Sequence, residues 1–248
     1  MDPLAPLMEL SEVADALENA RATVERMMWH KSLESDHTAV ADEVALAETA
    51  ATLQLEGFEL DVDSLRAWDG SDATVRGAIR VNEALPSLVG VWRSSPRYVL
   101  ARLHMFATSD FDVSQGSPQP GRPNLDETGS ARMDALCALV SNPTSDLPPT
   151  LRAAVIHGEL LSLQAFPLAN DIVARAAAKL TLAEQGMDPH FLIALNLGHK
   201  ERQPEYVGSS KSFSTGTPDG VRSWLKHYGQ AMETGAARTL AICNERAG

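Results

Sequence analysis

Apolar side chains recur every three or four positions along almost the whole chain, and this spacing limits the possible folds more than any other feature. In the first such segment, Leu10, Val13, Leu17 and Val24 share one face of a helix, because an α-helix repeats every ~3.6 residues. No segment of useful length alternates apolar and polar residues, as a half-buried strand would. The sequence therefore predicts an all-α fold.

Glycine, proline and capping residues divide this pattern into segments. Residues 110–129 are rich in Gly, Pro, Ser and Asp, and they are predicted to form a loop with at most a short β-hairpin as a flap. Residues 198–218 are predicted to be irregular. The predicted helices cover about residues 10–28, 38–55, 61–68, 72–92, 96–107, 131–140, 149–163, 171–185 and 221–234, and a last helix ends near Cys243.

The chain is long enough for one large domain, or for one domain with an extension. It has 248 residues, of which 44% are hydrophobic, so it can bury a sizeable core. We predict an N-terminal helical extension over residues 1–34 and one main domain over residues 35–248. The helices at 149–163 and 171–185 are expected to be central, because both are strongly apolar.

Charge and hydropathy argue against several classes of partner. A formal net charge of −12 would repel nucleic acid and an anionic membrane surface. No run approaches the ~18 apolar residues of a transmembrane helix, and the N-terminus lacks a secretory pattern. Cys137 and Cys243 lie in apolar helical patterns and are predicted to be buried free thiols, as in a reducing compartment. We therefore expect a cytoplasmic protein with a protein partner or target, and the oligomeric state stays open.

The segment from Leu163 to Arg175 is the most informative about function. Laid without a gap over the pattern His-x-Phe-x-Asp/Glu-Gly-Asn-Gly-Arg-x-x-Arg, it keeps Phe166, Asn170 and Arg175. That pattern is the core motif of Fic proteins, which transfer nucleotide or related phosphoryl groups to protein hydroxyls. The segment thus resembles a Fic motif, and the resemblance implies a Fic/Fido-like helical domain with its site at the motif loop, residues 164–175.

Substitutions at the other motif positions remove groups that the family's chemistry requires. Gln164 stands at the position of the catalytic His, and an amide cannot accept a proton near neutral pH. Leu168 stands at the position of the carboxylate that holds Mg²⁺. Ile172 replaces the first phosphate-binding Arg, and Ala169 replaces a glycine although alanine disfavours positive φ. We therefore expect no catalytic residue among the motif positions and no metal ligand.

The remains of the phosphate loop are Asn170, Asp171 and Arg175. Asp171 replaces the second glycine and puts a negative charge where a phosphate would sit. ATP and Mg²⁺ are therefore implied by the resemblance only, and we expect no cofactor. The seven histidines show no metal-ligand spacing, and no Cys-x-x-Cys occurs.

Two further segments extend the resemblance to residues 35–240. Thr52-Leu53-Gln54-Leu55-Glu56-Gly57 resembles the inhibitory pattern Ser/Thr-x-x-x-Glu-Gly, whose Glu pairs with the second motif Arg. It implies a regulatory helix at about 38–56, with Thr52, Glu56 and Gly57 as its marked residues and an ion pair between Glu56 and Arg175. Tyr206 and residues 216–225 resemble the family's C-terminal Tyr and Trp-Leu helix.

Ordinary structural roles stay open beside these interpretations. Phe166 is flanked by apolar helices and fits a core position. His157, two helical turns before Gln164, is either a hydrogen-bonded core histidine or a surrogate base. Glu56 and Arg175 are otherwise solvated surface charges. Asp171 stands where a helix N-cap is expected, and Asp is among the best caps.

Three functions follow from these observations. The first is a degenerate Fic-type protein that resembles protein adenylyltransferases, lacks transferase activity and acts through binding or regulation. The second is an active nucleotidyl- or phosphoryl-transferase of altered chemistry, in which Gln164 or His157 positions a substrate. The third is a regulatory subunit or inhibitor of another Fic protein.

Overall fold

A computed structural model describes residues 2–112, 119–143 and 146–247, with the backbone alone at residues 34–36 and 247. These residues form helices joined by short loops, and no strand occurs among them, which confirms the all-α fold. The flap predicted within residues 110–129 lies partly outside the described residues, at 113–118. Residues 119–126 are turn and irregular backbone.

The helices follow one another along the chain with few long connections. A short 3-10 helix at Ala5–Glu9 comes first. The α-helices are α1 (Val13–Met28), α2 (Lys31–Leu55), α3 (Val62–Arg66), α4 (Ala73–Trp92), α5 (Pro96–Thr108), α6 (Glu127–Ser141), α7 (Pro149–Leu163), α8 (Asn170–Glu184), α9 (Leu195–Glu201), α10 (Gln203–Phe213) and α11 (Pro218–Ala247).

The C-terminal third differs most from the sequence prediction. Residues 198–218, predicted to be irregular, contain the end of α9 and all of α10. The buried positions of α10 are Tyr206, Ser209 and Phe213, so a serine interrupts the apolar pattern although the spacing is helical. The two helices predicted after residue 221 are one helix, α11. Gly235 lies inside this helix and does not end it. A glycine is needed there for close packing, because a Cβ would lie 2.4 Å from the Ala194 carbonyl oxygen of the adjacent chain segment.

Helices α7 and α8 lie at the centre of the fold, as predicted. They pack against each other, and almost every residue of α8 is buried. On one side they meet an apolar cluster that includes α4, α5 and α6. On the other side they meet a second cluster that includes α1, α9, α10 and α11. The loop between α7 and α8 is therefore held at both ends by buried helices.

The remaining sequence predictions concern the termini, the thiols and the membrane. Helix α1 packs along α11, and the division at residue 34 stays a prediction. Cys137 and Cys243 are buried and form no disulfide, as predicted. Within the described ranges, no helix is long and apolar enough to cross a membrane.

Candidate functional site

The motif loop joins α7 to α8 through two residues in the left-handed conformation. Gln164 ends α7 with φ 46° and ψ 45°, and Ala169 precedes α8 with φ 54° and ψ 21°. Neither is a glycine, although this conformation disfavours every residue with a Cβ. The surrounding contacts must therefore hold the loop in a shape that its sequence does not favour.

Asn170 supplies the most specific of these contacts. Its side chain is buried, its Oδ1 accepts a bond from the Phe166 N–H at 3.3 Å, and its Nδ2 donates to the Leu160 carbonyl oxygen at 3.1 Å. Phe166 is buried and stacks on His104, with ring centroids 4.5 Å apart. Both retained residues thus have a structural role, in keeping with a core position for Phe166.

Gln164 and Asp171 contact each other across the loop. The Gln164 Nε2 donates to Asp171 Oδ1 at 3.1 Å and to the Leu161 carbonyl oxygen at 2.9 Å. Asp171 is not the N-cap that the sequence suggested, because α8 begins at Asn170 and Ala169 holds the cap position. The Asp171 carboxylate lies in the first turn, where it interacts favourably with the helix dipole. A phosphate approaching this end would meet that carboxylate.

Leu168 and Ile172, which replace the metal ligand and the first phosphate-binding Arg of the pattern, differ in exposure. Leu168 is 42% exposed on the loop, and Ile172 is 2% exposed in the core beside α4 and α5. Among the described residues, no group of three or more His, Cys, Asp or Glu side chains could hold a metal ion. Arg175 borders a cavity of only about 20 Å³, which is the size of one water molecule.

Glu56 and Arg175 form the ion pair that the resemblance implied. The Arg175 Nη2 lies 2.5 Å from Glu56 Oε1, and the side chains are 2% and 23% exposed. Gly57 places the glutamate there by ending α2 with φ 92°. The Phe58 N–H donates to Leu53 O and the Gly57 N–H to Gln54 O, which is a Schellman motif.

A second buried ion pair joins the same two helices, and the sequence analysis missed it. The Lys179 Nζ lies 3.0 Å from Glu48 Oε2, with both side chains at most 3% exposed. Glu48 Oε1 also accepts the Leu197 N–H at 3.1 Å. The available signal was spacing, because Glu48 and Glu56 lie eight residues apart on α2 and Arg175 and Lys179 lie four apart on α8.

Thr52 lies between the two pairs on α2. Its Oγ1 accepts a hydrogen bond from Asn196 Nδ2 at 2.9 Å, and both side chains are buried. The three α2 positions 48, 52 and 56 therefore all make polar contacts to buried partners. Helix α2 is held against α8 and α9 along two turns, which is more than the single pair expected from the sequence.

His157 lies deep in the second apolar cluster. It has no exposed surface, and its Nε2 is 3.1 Å from the Tyr206 Oη. Burial, together with the Arg175 and His227 charges, holds the pKa of His157 well below its usual 6.5. The ring is thus neutral but has no access to a substrate hydroxyl, which is the core-histidine interpretation. Its neighbours are His199, Trp224 and Tyr228.

The strained position Ala169 gives a direct test of the loop geometry. We expect Ala169→Gly to raise the free energy of unfolding by about 0.5–1 kcal/mol, because relief of the left-handed strain exceeds the entropy cost of glycine. Urea denaturation of the variant and the wild type measures this difference. Ala174→Gly, inside α8 at a buried position, is the control and should be destabilising. A loss of stability in Ala169→Gly would contradict the assigned backbone conformation.

The fold of the chain occurs in a known protein. No family model matches the chain, and no curated protein matches it in sequence. Among solved structures, a Fic family protein from Desulfovibrio desulfuricans G20 is similar with a TM-score of 0.70. The two are 15% identical, and the match covers 92% of this chain and 74% of that chain. The chain therefore has the helical fold of a Fic protein.

Proposed function

We propose that the chain is a non-catalytic protein with a Fic-type fold, which acts by binding another protein and does not transfer nucleotides. One observation carries this proposal. Arg175, the residue that would reach the terminal phosphate, is 2% exposed and paired with Glu56, beside a cavity of about 20 Å³. Ligand sites of nucleotide size have volumes of about 300–1,000 Å³. The cavity beside this guanidinium is far smaller than that range.

The remaining geometry supports the same conclusion at each step of the reaction. Gln164 supplies no base, and its amide is engaged by Asp171 and Leu161. The Asp171 carboxylate lies at the helix end that would receive phosphate, where it repels an anion. His157, the candidate surrogate base, is sealed in the core. These losses affect proton transfer, metal binding and phosphate binding together, so one substitution cannot restore the reaction.

In this proposal the helix α2 is a structural part of the domain. The ion pairs from Glu48 and Glu56 and the Thr52 hydrogen bond are partly or fully buried, and α2 would have to leave its core contacts to free Arg175. With no nucleotide to exclude, the Glu56–Arg175 pair stabilises the fold and does not switch an activity. The alternative of an altered transferase would need a substrate path to the buried His157, or a role for Gln164, which is exposed but is an amide and not a base.

Labelling with AMP tests the proposal. We expect no incorporation from ATP and Mg²⁺ into the protein itself for the wild type or for Gln164→His. The added histidine restores only the base, which is worth about 10²–10⁴-fold, and leaves the phosphate and metal positions altered. Titration calorimetry with ATP and Mg²⁺ should show no binding to either protein.

The labelling experiment needs a positive comparison. We expect labelling to require Leu168→Asp, Asp171→Gly and Ile172→Arg besides Gln164→His, with Glu56→Gly to free Arg175. Because Ile172 is buried, circular dichroism must show that this five-fold variant is folded. Labelling by the wild type would overturn the proposal, and loss of that label in His157→Gln would identify the base. Labelling by Gln164→His alone would show that the nucleotide site is intact.

A further inference from the structure

Residues 119–124 form a strap that lies against α5 beside the motif loop, and backbone N–H groups tie it down at two points. The Gly121 N–H donates to the Nδ1 of His104, a residue of α5, at 2.8 Å. The Asn124 N–H donates to the Ala165 carbonyl oxygen of the motif loop at 2.8 Å. The side chains of the strap are mostly exposed, so the strap depends on these two bonds more than a buried segment would.

Gly121 allows the strap to lie directly on the helix. Its φ is 77°, and a Cβ there would lie 3.2 Å from the Ala101 carbonyl oxygen of α5. Together with Pro123, it covers a cavity of about 70 Å³ whose walls include Met133 and Phe166. Release of the strap would therefore uncover apolar surface beside the motif loop.

The hydrogen bond from Gly121 fixes the protonation state of His104. A ring nitrogen that accepts a hydrogen bond carries no proton, so the single proton of the neutral ring is on Nε2. The side chain is 2% exposed, and the ring stacks on Phe166 with centroids 4.5 Å apart and planes at 20°. A proton on Nδ1 would place two donors against each other where little water can solvate the charge.

The charges around His104 do not favour its protonated form. Burial lowers the pKa of His104, and the backbone at Leu168 opposes this shift. Neither influence comes from a charged side chain. The charged groups on the elements packed against α5 have partners of their own, namely Arg80 of α4 with Asp110, Asp134 of α6 with Arg97, Asp171 of α8 with Gln164, and Arg122 of the strap with Gln119.

We propose that His104 is a pH-sensitive latch, and that protonation of its Nδ1 breaks the bond from Gly121 and releases the strap from α5 while the helices stay folded. The proton comes from solvent and binds the Nδ1 lone pair, and the freed Gly121 N–H donates to water. Because the pKa is lower in the closed strap than in the released one, the strap is closed above about pH 6.5 and opens as the pH falls. This inference does not depend on the proposed function of the motif loop.

Amide hydrogen exchange of the full chain, followed by NMR, tests the proposal. After correction for the intrinsic pH dependence of exchange, we expect the protection of the Gly121 and Asn124 amides to fall at least about fivefold between pH 7 and pH 5. The fall reaches about 25-fold if the released imidazole has a pKa of about 6.5. Because the opening is local, these amides should exchange faster than Leu180 in α8, and dilute urea should not change their exchange.

Two variants at position 104 test the latch directly. His104→Asn places an uncharged amide oxygen near the position of Nδ1, so the strap amides should be equally protected at the two pH values. His104→Phe keeps a ring against Phe166 but removes the acceptor, so these amides should be about fivefold less protected than in the wild type already at pH 7. His227→Gln, which changes the buried histidine cluster, is the control and should leave the pH dependence of the strap unchanged.

Several results would overturn the latch. One is equal protection of the wild-type strap amides at pH 5 and pH 7. Others are a pH dependence that persists in His104→Asn or one that disappears in His227→Gln, since the strap would then follow a different group. If circular dichroism shows that His104→Asn is unfolded, His104→Phe decides, because wild-type protection in that variant at pH 7 would show that the bond to His104 does not hold the strap.

Discussion

Glu48→Gln is expected to lower the free energy of unfolding by about 3–5 kcal/mol, because it leaves the Lys179 ammonium buried without its carboxylate partner and with a long hydrogen bond to Asn82 Oδ1 at 3.4 Å. Glutamine keeps the size of the side chain and an oxygen for the Leu197 N–H, so the loss reports the charge alone. Asp188 also acts electrostatically on Lys179, which favours the lower end of this range. Urea denaturation followed by circular dichroism measures the change.

A double variant tests whether the loss of stability comes from the unpaired Lys179 charge. Glu48→Gln with Lys179→Met replaces both charges, and we expect it to recover stability to within about 1.5 kcal/mol of the wild type. Glu43→Gln is the matched control, because the Arg66–Glu43 pair is exposed at 49% and 33% and should contribute about 0.2–1 kcal/mol or less. A loss below about 1 kcal/mol in Glu48→Gln would show that Asp188 or solvent compensates the Lys179 charge.

Acid is expected to destabilise the protein by about 4 kcal/mol between pH 7 and pH 5, because three histidines are held neutral in the core. Burial lowers the pKa of His227 to about 4 and holds the pKa values of His157 and His199 well below their usual 6.5. The unfolded chain therefore binds protons below pH 6.5 that the folded chain does not bind. The contribution of these three histidines to the free energy of unfolding is therefore fully present above this pH and is lost as the pH decreases.

One fully buried carboxyl group opposes this trend. Burial raises the pKa of Asp188 to about 6, so below that pH the folded state binds a proton before the unfolded state does. Each histidine contributes on the order of 2 kcal/mol of loss between pH 7 and pH 5, and Asp188 returns about 1 kcal/mol. The three histidine losses and the Asp188 gain together leave a net loss of stability of roughly 4–5 kcal/mol.

Urea denaturation at the two pH values tests this result. His227→Gln should reduce the pH dependence by about 2 kcal/mol, since glutamine keeps a polar partner for His199, whose Nδ1 lies 3.0 Å from the His227 Nε2. His190→Gln, at an exposed position, should leave the dependence unchanged. If stability were equal at pH 5 and pH 7, the buried cluster would have to accept protons without opening.

Particular residues show how far the sequence predicts this site. The Glu56–Arg175 pair was implied by the resemblance of Thr52, Glu56 and Gly57 to the inhibitory pattern of Fic proteins, and the two charged residues by themselves were equally consistent with solvated surface positions. The Glu48–Lys179 pair was missed, since Lys179 lies in an apolar run and the spacing of the charges on the two helices was the only signal for a partner so far away in the chain. Asp171 was taken for a cap, because helix boundaries inferred from sequence are uncertain by one or two residues.

The sequence by itself determined the helices before residue 198, the central place of α7 and α8 and the absence of a His, a carboxylate and an Arg at positions 164, 168 and 172. These are properties of local periodicity and of side-chain type, which need no partner to be recognised. Only the tertiary structure decided which charges are buried, that His157 is sealed in the core, and that Arg175 is buried against Glu56. Those properties depend on distances between helices far apart in the chain, and burial by neighbouring helices sets both the pKa of a side chain and the energy of an ion pair.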